Sequence, residues 1–130
     1  MITVAALLLT AFLFGGMLLY SFGFAAFVFT TLPAEQAGRL LREAFPHFYA
    51  WCMLTSVAAA LSFYFVDPLS AGILFFVAVT TIPARQMLMP AINSATDSGN
   101  KSRFNVLHSA SVTLTLLQIG AVGYCLMRLL

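Results

Sequence analysis

Long runs of uncharged residues alternate with short polar segments along the chain. Each run approaches or exceeds the roughly 20 residues that an α-helix needs to cross a bilayer. The run beginning at Pro68 is the shortest, and we expect its helix to continue past Pro83. The pattern predicts an all-α fold, an integral membrane four-helix bundle. The predicted spans cover about residues 2–32, 48–66, 69–89 and 104–128.

The three connections between these spans differ in character. Residues 33–45 repeat apolar side chains at helical spacing with charged ones on the opposite side, which predicts a short interfacial amphipathic helix between helices 1 and 2. The second connection is little more than Asp67 and Pro68, as in a tight hairpin. Residues 91–103 are rich in Asn, Ser and Gly, and they predict a mobile polar loop.

The composition points to lipid as the main surrounding of the chain. Hydrophobic residues make up 62% of its 130 residues and charged residues 8%, whereas soluble domains carry about 25% charge. Four spans use nearly the whole length, so we expect one transmembrane domain over residues 1–130. The formal charge of +2 is small and its basic residues are dispersed, which argues against a nucleic-acid partner.

The distribution of basic residues predicts an orientation in the cell (inner) membrane. Five lie in or beside the first and third connections, and Arg128 alone lies on the other side. Cytoplasmic loops carry the excess of Lys and Arg, so we expect a multi-pass protein with both termini outside the cytoplasm. The five residues are Arg39, Arg42, Arg85, Lys101 and Arg103.

One short segment occurs twice, fifty residues apart. Residues 30–36 (TTLPAEQ) and 80–86 (TTIPARQ) are identical at five of seven positions. The similarity arises either by chance in a biased composition or from a parallel repeat of two helix hairpins. A repeat would place Glu35 and Arg85 at equivalent positions with opposite charge.

Polar residues recur at steps of three or four along the last span. We expect the face that they form to point into the bundle. It serves either as interhelical hydrogen-bonding contacts or as a functional polar interior. The residues of this face are Asn105, His108, Ser111, Thr115 and Gln118.

His108 lies about one turn inside the predicted cytoplasmic boundary, where an ionisable group suggests a functional site. The alternative is a neutral histidine that donates to a neighbouring oxygen. Arg85, Glu35 and Tyr49 are expected on the same side of the membrane, which predicts a polar cytoplasmic-side pocket around His108 and Arg85. The residues assigned to this pocket are His108, Arg85, Glu35, Ser111, Thr115, Gln118 and Tyr49.

Cofactor and catalytic motifs are scarce. His47 and His108 are the candidate metal ligands, for haem b or for copper, but their predicted depths differ by about 7 Å at 1.5 Å per residue. The ligands are too few for a closed metal site, although Met87 and Met89 leave transient copper binding open. No cofactor is favoured. No nucleophile elbow or phosphate-binding loop occurs, so no catalytic residue is assigned and a non-enzymatic protein is favoured.

Several short motifs are distributed over the whole chain. They are Gly15-Gly16, Phe45-Pro46-His47-Phe48-Tyr49, Pro83-Ala84-Arg85, Arg103-Phe104, Leu107-His108 and Leu116-Leu117-Gln118. Together they resemble the transmembrane protein 205-like family. The resemblance covers nearly the whole chain and implies a four-helix membrane bundle without an established reaction. By fold that family is similar to copper-resistance D-like membrane proteins and to the membrane protoporphyrinogen oxidase family, an analogy that also implies copper or haem.

These observations favour a small, non-enzymatic integral membrane protein. It is either a binding or transport-related bundle, as a homo-oligomer or alone, or an accessory subunit of a larger membrane complex. The alternative is a haem- or copper-binding membrane redox protein that uses His108 with His47 or a methionine.

Overall fold

The computed structural model describes all residues, Met1–Leu130, and consists of helices joined by short turns, without a β-strand. Four helices are long and apolar enough to cross a membrane. The all-α prediction is therefore confirmed, and the chain has the architecture of a multi-pass membrane protein. The helices are α1 (Ile2–Thr31), α2 (Ala34–Phe63), α3 (Pro68–Asp97) and α4 (Lys101–Met127).

Two of the helices contain a π-helical turn. In α1 it covers Leu19–Phe24, and in α3 it covers Ala84–Leu88, directly after Pro83. A π-turn inserts one residue into the helical ladder and is frequent at functional positions. The second of these turns carries Arg85, one of the predicted pocket residues.

The predicted interfacial helix over residues 33–45 is not a separate element, and this prediction was wrong in that respect. Residues 34–63 form one continuous helix with Pro46 inside it. Proline removes an N–H donor and usually kinks or ends a helix. Membrane helices tolerate proline more readily than soluble ones, and α2 continues through Pro46.

The third connection also differs from the prediction. Helix α3 continues to Asp97, and only residues 98–100 separate it from α4. Gly99 adopts the left-handed conformation, with φ of 70°, that this sharp turn requires. The side chain of Asn100 then caps α4 by accepting a hydrogen bond from the Arg103 N–H at 3.1 Å. By contrast, the hairpin at Asp67 and Pro68 is short, as expected.

The two similar heptapeptides have different backbone conformations. Leu32 is extended, with φ −109° and ψ 152°, and ends α1 before Pro33. Pro83 is helical, with ψ −29°, and lies within α3. Glu35 and Arg85 form no ion pair with each other. The repeat hypothesis gains no support from this local geometry.

The core lies between all four helices. Helix α2 packs against α1 and α3, and α4 packs against the same two helices. Each helix contributes at least one side chain with no exposed surface: Leu13, Phe63, Leu74 and Val122. Many large apolar side chains also face outward, as the bilayer requires of a lipid-facing surface.

Candidate functional site

Gln118 is the polar residue of the last span that the structure places most firmly in the interior. Only 7% of its surface is exposed. Its Nε2 donates to Oγ1 of Thr80 at 2.8 Å, to Oγ1 of Thr81 at 3.2 Å and to the carbonyl oxygen of Val77 at 3.4 Å. These hydrogen bonds join α4 to α3, a type of contact that stabilises helix association in membranes.

Arg85 connects α3 to α2 at the proline of α2. Its side chain is half-buried, and its Nε donates to the carbonyl oxygen of Pro46 at 3.1 Å. A charged donor forms a stronger hydrogen bond than a neutral one. The π-turn of α3 and the proline of α2 therefore meet through one hydrogen bond between side chain and backbone.

Tyr49 of α2 and Ser111 and Thr115 of α4 are the remaining polar side chains of the predicted interior. Tyr49 is buried in the core, whereas Ser111 and Thr115 are half-buried. Among the polar residues that recur along α4, Gln118 alone is buried.

The structure places His108 differently from the prediction. Its imidazole is exposed and stacks on the ring of Phe104, with a centroid distance of 5.3 Å and an interplanar angle of 8°. The expectation that it faces the bundle was wrong because the first part of α4 is poorly covered by its neighbours: no residue from Lys101 to Leu117 is buried. Helical spacing alone would place His108 within about 20° of Thr115, seven positions further along.

Glu35 also lies at the surface, where it pairs with Arg39 at 3.6 Å. No hydrogen bond or ion pair joins His108 to Arg85 or to Glu35. The residues assigned to one pocket therefore do not form a single site. Gln118 and Tyr49 are buried, and Ser111, Thr115 and Arg85 are half-buried. Glu35 and His108 lie at the outer surface.

The two candidate metal ligands are not part of a ligand cluster. His47 and His108 are both exposed and lie on different helices. No group of three or more His, Cys, Asp or Glu side chains is placed to hold a metal ion. Cys52 and Cys125 are buried and free. The haem or copper hypothesis gains no support from this arrangement.

The sequence did not reveal an ion pair that closes one end of the bundle. Asp67, in the hairpin, accepts hydrogen bonds from Nε and Nη2 of Arg128, at 2.6 and 3.1 Å, and from Oγ of Ser70 at 2.6 Å. The Arg128 guanidinium, followed by the Ser70 hydroxyl, holds the pKa of Asp67 below its ordinary value. The same hydrogen bonds from Arg128 raise the pKa of its guanidinium.

A matching pair lies at the other end of the molecule. Arg42 of α2 donates through Nη1 and Nη2 to both carboxylate oxygens of Asp97, at 3.2 and 2.9 Å. This bidentate geometry is the strong form of an arginine–carboxylate contact. Asp67 and Arg128 are 61 positions apart, and Arg42 and Asp97 are 55 positions apart. No local sequence motif could therefore predict either ion pair.

The first part of α4 is unusually uncovered. None of the residues from Lys101 to Leu117 is buried, and the buried residues of this helix begin at Gln118. Beyond Arg103, four polar side chains are exposed within about 140° of the helix circumference. We name these residues the α4 polar face: Asn105, His108, Ser109 and Thr113.

The fold and these contacts define a small multi-pass helical membrane protein held together by interhelical polar contacts. A family model described as "Domain of unknown function (DUF4149)" matches residues 8–101, and the chain belongs to this family. The match covers α1 to α3 and ends at the first residue of α4, before the α4 polar face. No curated protein and no solved structure matches the chain.

Proposed function

We propose that this protein is a non-enzymatic subunit of a membrane assembly, and that it associates with a second copy of itself through the α4 polar face. The observation that carries the proposal is the exposure of Asn105, His108, Ser109 and Thr113 on a helix that is apolar and long enough to span the bilayer. Polar side chains at membrane depth are costly when they face lipid, and they ordinarily face other helices or a water-filled cavity.

The chemistry of this face fits a second copy. The side chains of Asn105, His108 and Ser109 can each donate and accept hydrogen bonds. A surface of such groups is complementary to itself across a two-fold axis, which is the commonest symmetry of homo-oligomers. Lys101 and Arg103 are exposed at the start of the helix, where salt screens the repulsion between two copies.

The depth of the face supports an interface within the bilayer. Thr113 lies about 15 Å beyond Arg103 along the helix axis, at 1.5 Å per residue. The apolar core of a bilayer is about 30 Å thick, so the face would extend from the headgroup region to near the middle of the membrane. A soluble partner could not cover it.

Oxidative cross-linking in bilayers tests this interface. Ser109→Cys lies in the α4 polar face, and Leu61→Cys serves as the control because Leu61 is also exposed and lies on α2, away from this face. The native Cys52 and Cys125 are buried and contribute little background. We expect a disulfide-linked dimer from Ser109→Cys and mainly monomer from Leu61→Cys.

Two further results would decide against self-association. If Ser109→Cys cross-links to a different, stoichiometric membrane protein, the chain is an accessory subunit of that complex. If Ser109→Cys and Leu61→Cys cross-link equally and the protein is monomeric in native mass measurements, the α4 polar face is not an interface. His108→Leu should weaken a genuine dimer by about threefold to tenfold, the equivalent of one interhelical hydrogen bond.

We also propose the type of membrane protein and its orientation in the membrane. The motifs around Pro46, Arg85 and His108 support a protein of the transmembrane protein 205-like type, and the excess of Lys and Arg at one end supports an inner-membrane protein with that end in the cytoplasm.

A further inference from the structure

A groove runs between α3 and α4 on the side of α4 that faces away from His108. Leu117 lies nine positions after His108, about 180° around the helix. The groove has a volume of about 420 Å³, within the range of about 300 to 1,000 Å³ that is usual for small-molecule sites. Its rim includes Phe76 and Leu117, which are 66% and 68% exposed. In a bilayer this groove opens sideways toward lipid chains.

Gln118 provides the groove with one hydrogen-bond acceptor that has no donor. Its Nε2 donates hydrogen bonds to Thr80, Thr81 and Val77, whereas its Oε1 accepts no hydrogen bond. The side chain lines the groove and is more than nine-tenths buried. Oε1 itself keeps accessible surface, since it is not among the buried side-chain atoms without a partner. An acceptor without a donor is unfavourable in a bilayer, where little water is available.

The other residues that line the groove limit the kinds of molecule that it can bind. Thr80 is the remaining polar residue of the lining, and its hydroxyl already donates to the Phe76 carbonyl oxygen at 2.9 Å and accepts from Gln118. The lining offers a trapped water acceptor groups but no free donor, so such a water would keep an unpaired lone pair and be held weakly. The lining contains no charged residue, so an anionic headgroup has no counter-charge here.

We propose that the groove binds a single-chain lipophilic alcohol that enters from the bilayer. Its hydroxyl group donates to Oε1 of Gln118, and its hydrocarbon chain lies along Gly72, Phe76 and Leu117. Gln118 lies about 14 Å from the end of α4, at 1.5 Å per residue. The hydroxyl group would therefore sit within the apolar part of the membrane, where one hydrogen bond to protein discriminates strongly against a plain hydrocarbon.

Photolabelling of the full-length protein in lipid nanodiscs tests the proposal. The probes are a diazirine-bearing dodecanol and its methyl ether, which has the same chain but no donor. We expect the alcohol to label the segments around Gly72 and Leu117 about fivefold more than the ether, a ratio that one hydrogen bond can produce. Unlabelled 1-dodecanol should compete with the labelling, and dodecane should not.

Two variants test separately the hydrogen bond to Gln118 and the free volume of the groove. Gln118→Leu should lower labelling by the alcohol to the level of the ether. Gly72→Leu should abolish labelling by both probes, because no atom lies within 4 Å of a Cβ built on Gly72 and the added side chain enters the groove. Gly15→Leu is the matched control, since a Cβ at Gly15 also meets no atom within 4 Å and Gly15 lies outside the groove.

The result of this photolabelling does not depend on whether the α4 polar face forms a dimer interface. Equal labelling by alcohol and ether, or labelling spread over exposed residues such as Phe12 and Leu61, would overturn the proposal. If Gln118→Leu proves unstable, preserved labelling of Gly72→Leu would overturn it as well.

Discussion

The six-membered ring of Trp51 lies directly against the Cα of Gly16, so that a Cβ built at this glycine would overlap the indole. The contact joins α1 to α2 within a cluster of aromatic rings. Trp51 also packs edge-to-face on Phe12, at a centroid distance of 5.1 Å, and stacks on Phe48 at 6.2 Å. Because the indole is held from several sides, it has little room to move away from a new methyl group.

Gly16→Ala should therefore destabilise the protein by about 1 to 3 kcal/mol, the usual cost of overpacking a well-packed site. The free energy of unfolding in detergent micelles, followed by Trp51 fluorescence, measures the effect. Trp51 is the single tryptophan of the chain, so its emission should also shift as the indole is displaced.

The adjacent glycine provides the control for this prediction. A Cβ at Gly15 meets no atom within 4 Å, so Gly15→Ala should leave both stability and emission nearly unchanged. Similar losses in the two variants would mean that backbone flexibility matters at these positions and the indole contact does not.

The ion pair between Asp67 and Arg128 should make stability depend on pH in the acidic range. The pKa of Asp67 is lowered from 3.8 by the hydrogen bonds from Arg128 and Ser70. Its contribution to folding is then fully present above about pH 4, and it is lost as the pH falls through the lower pKa of the folded state. The contribution of this ion pair to the free energy of unfolding should therefore be constant between pH 5 and pH 8.

Asp67→Asn should remove this part of the acid dependence and lower stability at neutral pH. Thermal unfolding of the variant and of the unmodified protein between pH 2 and pH 7 would show it as two curves that converge at low pH. Glu43→Gln is the matched control, since Glu43 forms no ion pair. Parallel curves for Asp67→Asn would contradict the prediction.

The hydrogen bond from Arg85 to the Pro46 carbonyl oxygen should stabilise the middle of α2. Arg85→Met keeps a long apolar side chain but removes the donor, and we expect a loss of about 1 to 2 kcal/mol. Hydrogen exchange should increase at the amides that follow Pro46. Arg39→Met removes an arginine whose only ion pair is exposed, and it should cost at most about 0.5 kcal/mol. Equal losses would show that charge, and not this contact, is responsible.

Much of the fold follows from hydrophobicity because burial in lipid acts on every residue of a span. The extents of the helices were harder to predict. The amphipathic segment 33–45 suggested a separate helix, but residues 34–63 form one helix that continues through Pro46. Residues 91–97 looked like a loop by composition, yet Gly99 and Asn100 are enough to make the turn, and the helix persists up to them.

The candidate site was less predictable because it depends on register between helices. The sequence indicated an inward Gln118, but its partners Thr80 and Thr81 are set by how α3 packs on α4. For His108, the spacing suggested an inward face, whereas the neighbouring helices leave this part of α4 without a buried residue, and the imidazole is exposed. Composition alone contains no information on either relationship.

The orientation of the bundle can be tested with a matched pair of exposed turn positions at opposite ends. Ser98 lies in the turn between α3 and α4, and Tyr64 lies in the hairpin between α2 and α3. Since the excess of Lys and Arg flanks the first of these turns, we expect Ser98→Cys to be protected from an impermeant maleimide in intact cells and labelled only after permeabilisation. Tyr64→Cys should be labelled in both conditions. The opposite pattern would place both termini in the cytoplasm, and the start of the α4 polar face would then lie in the outer leaflet.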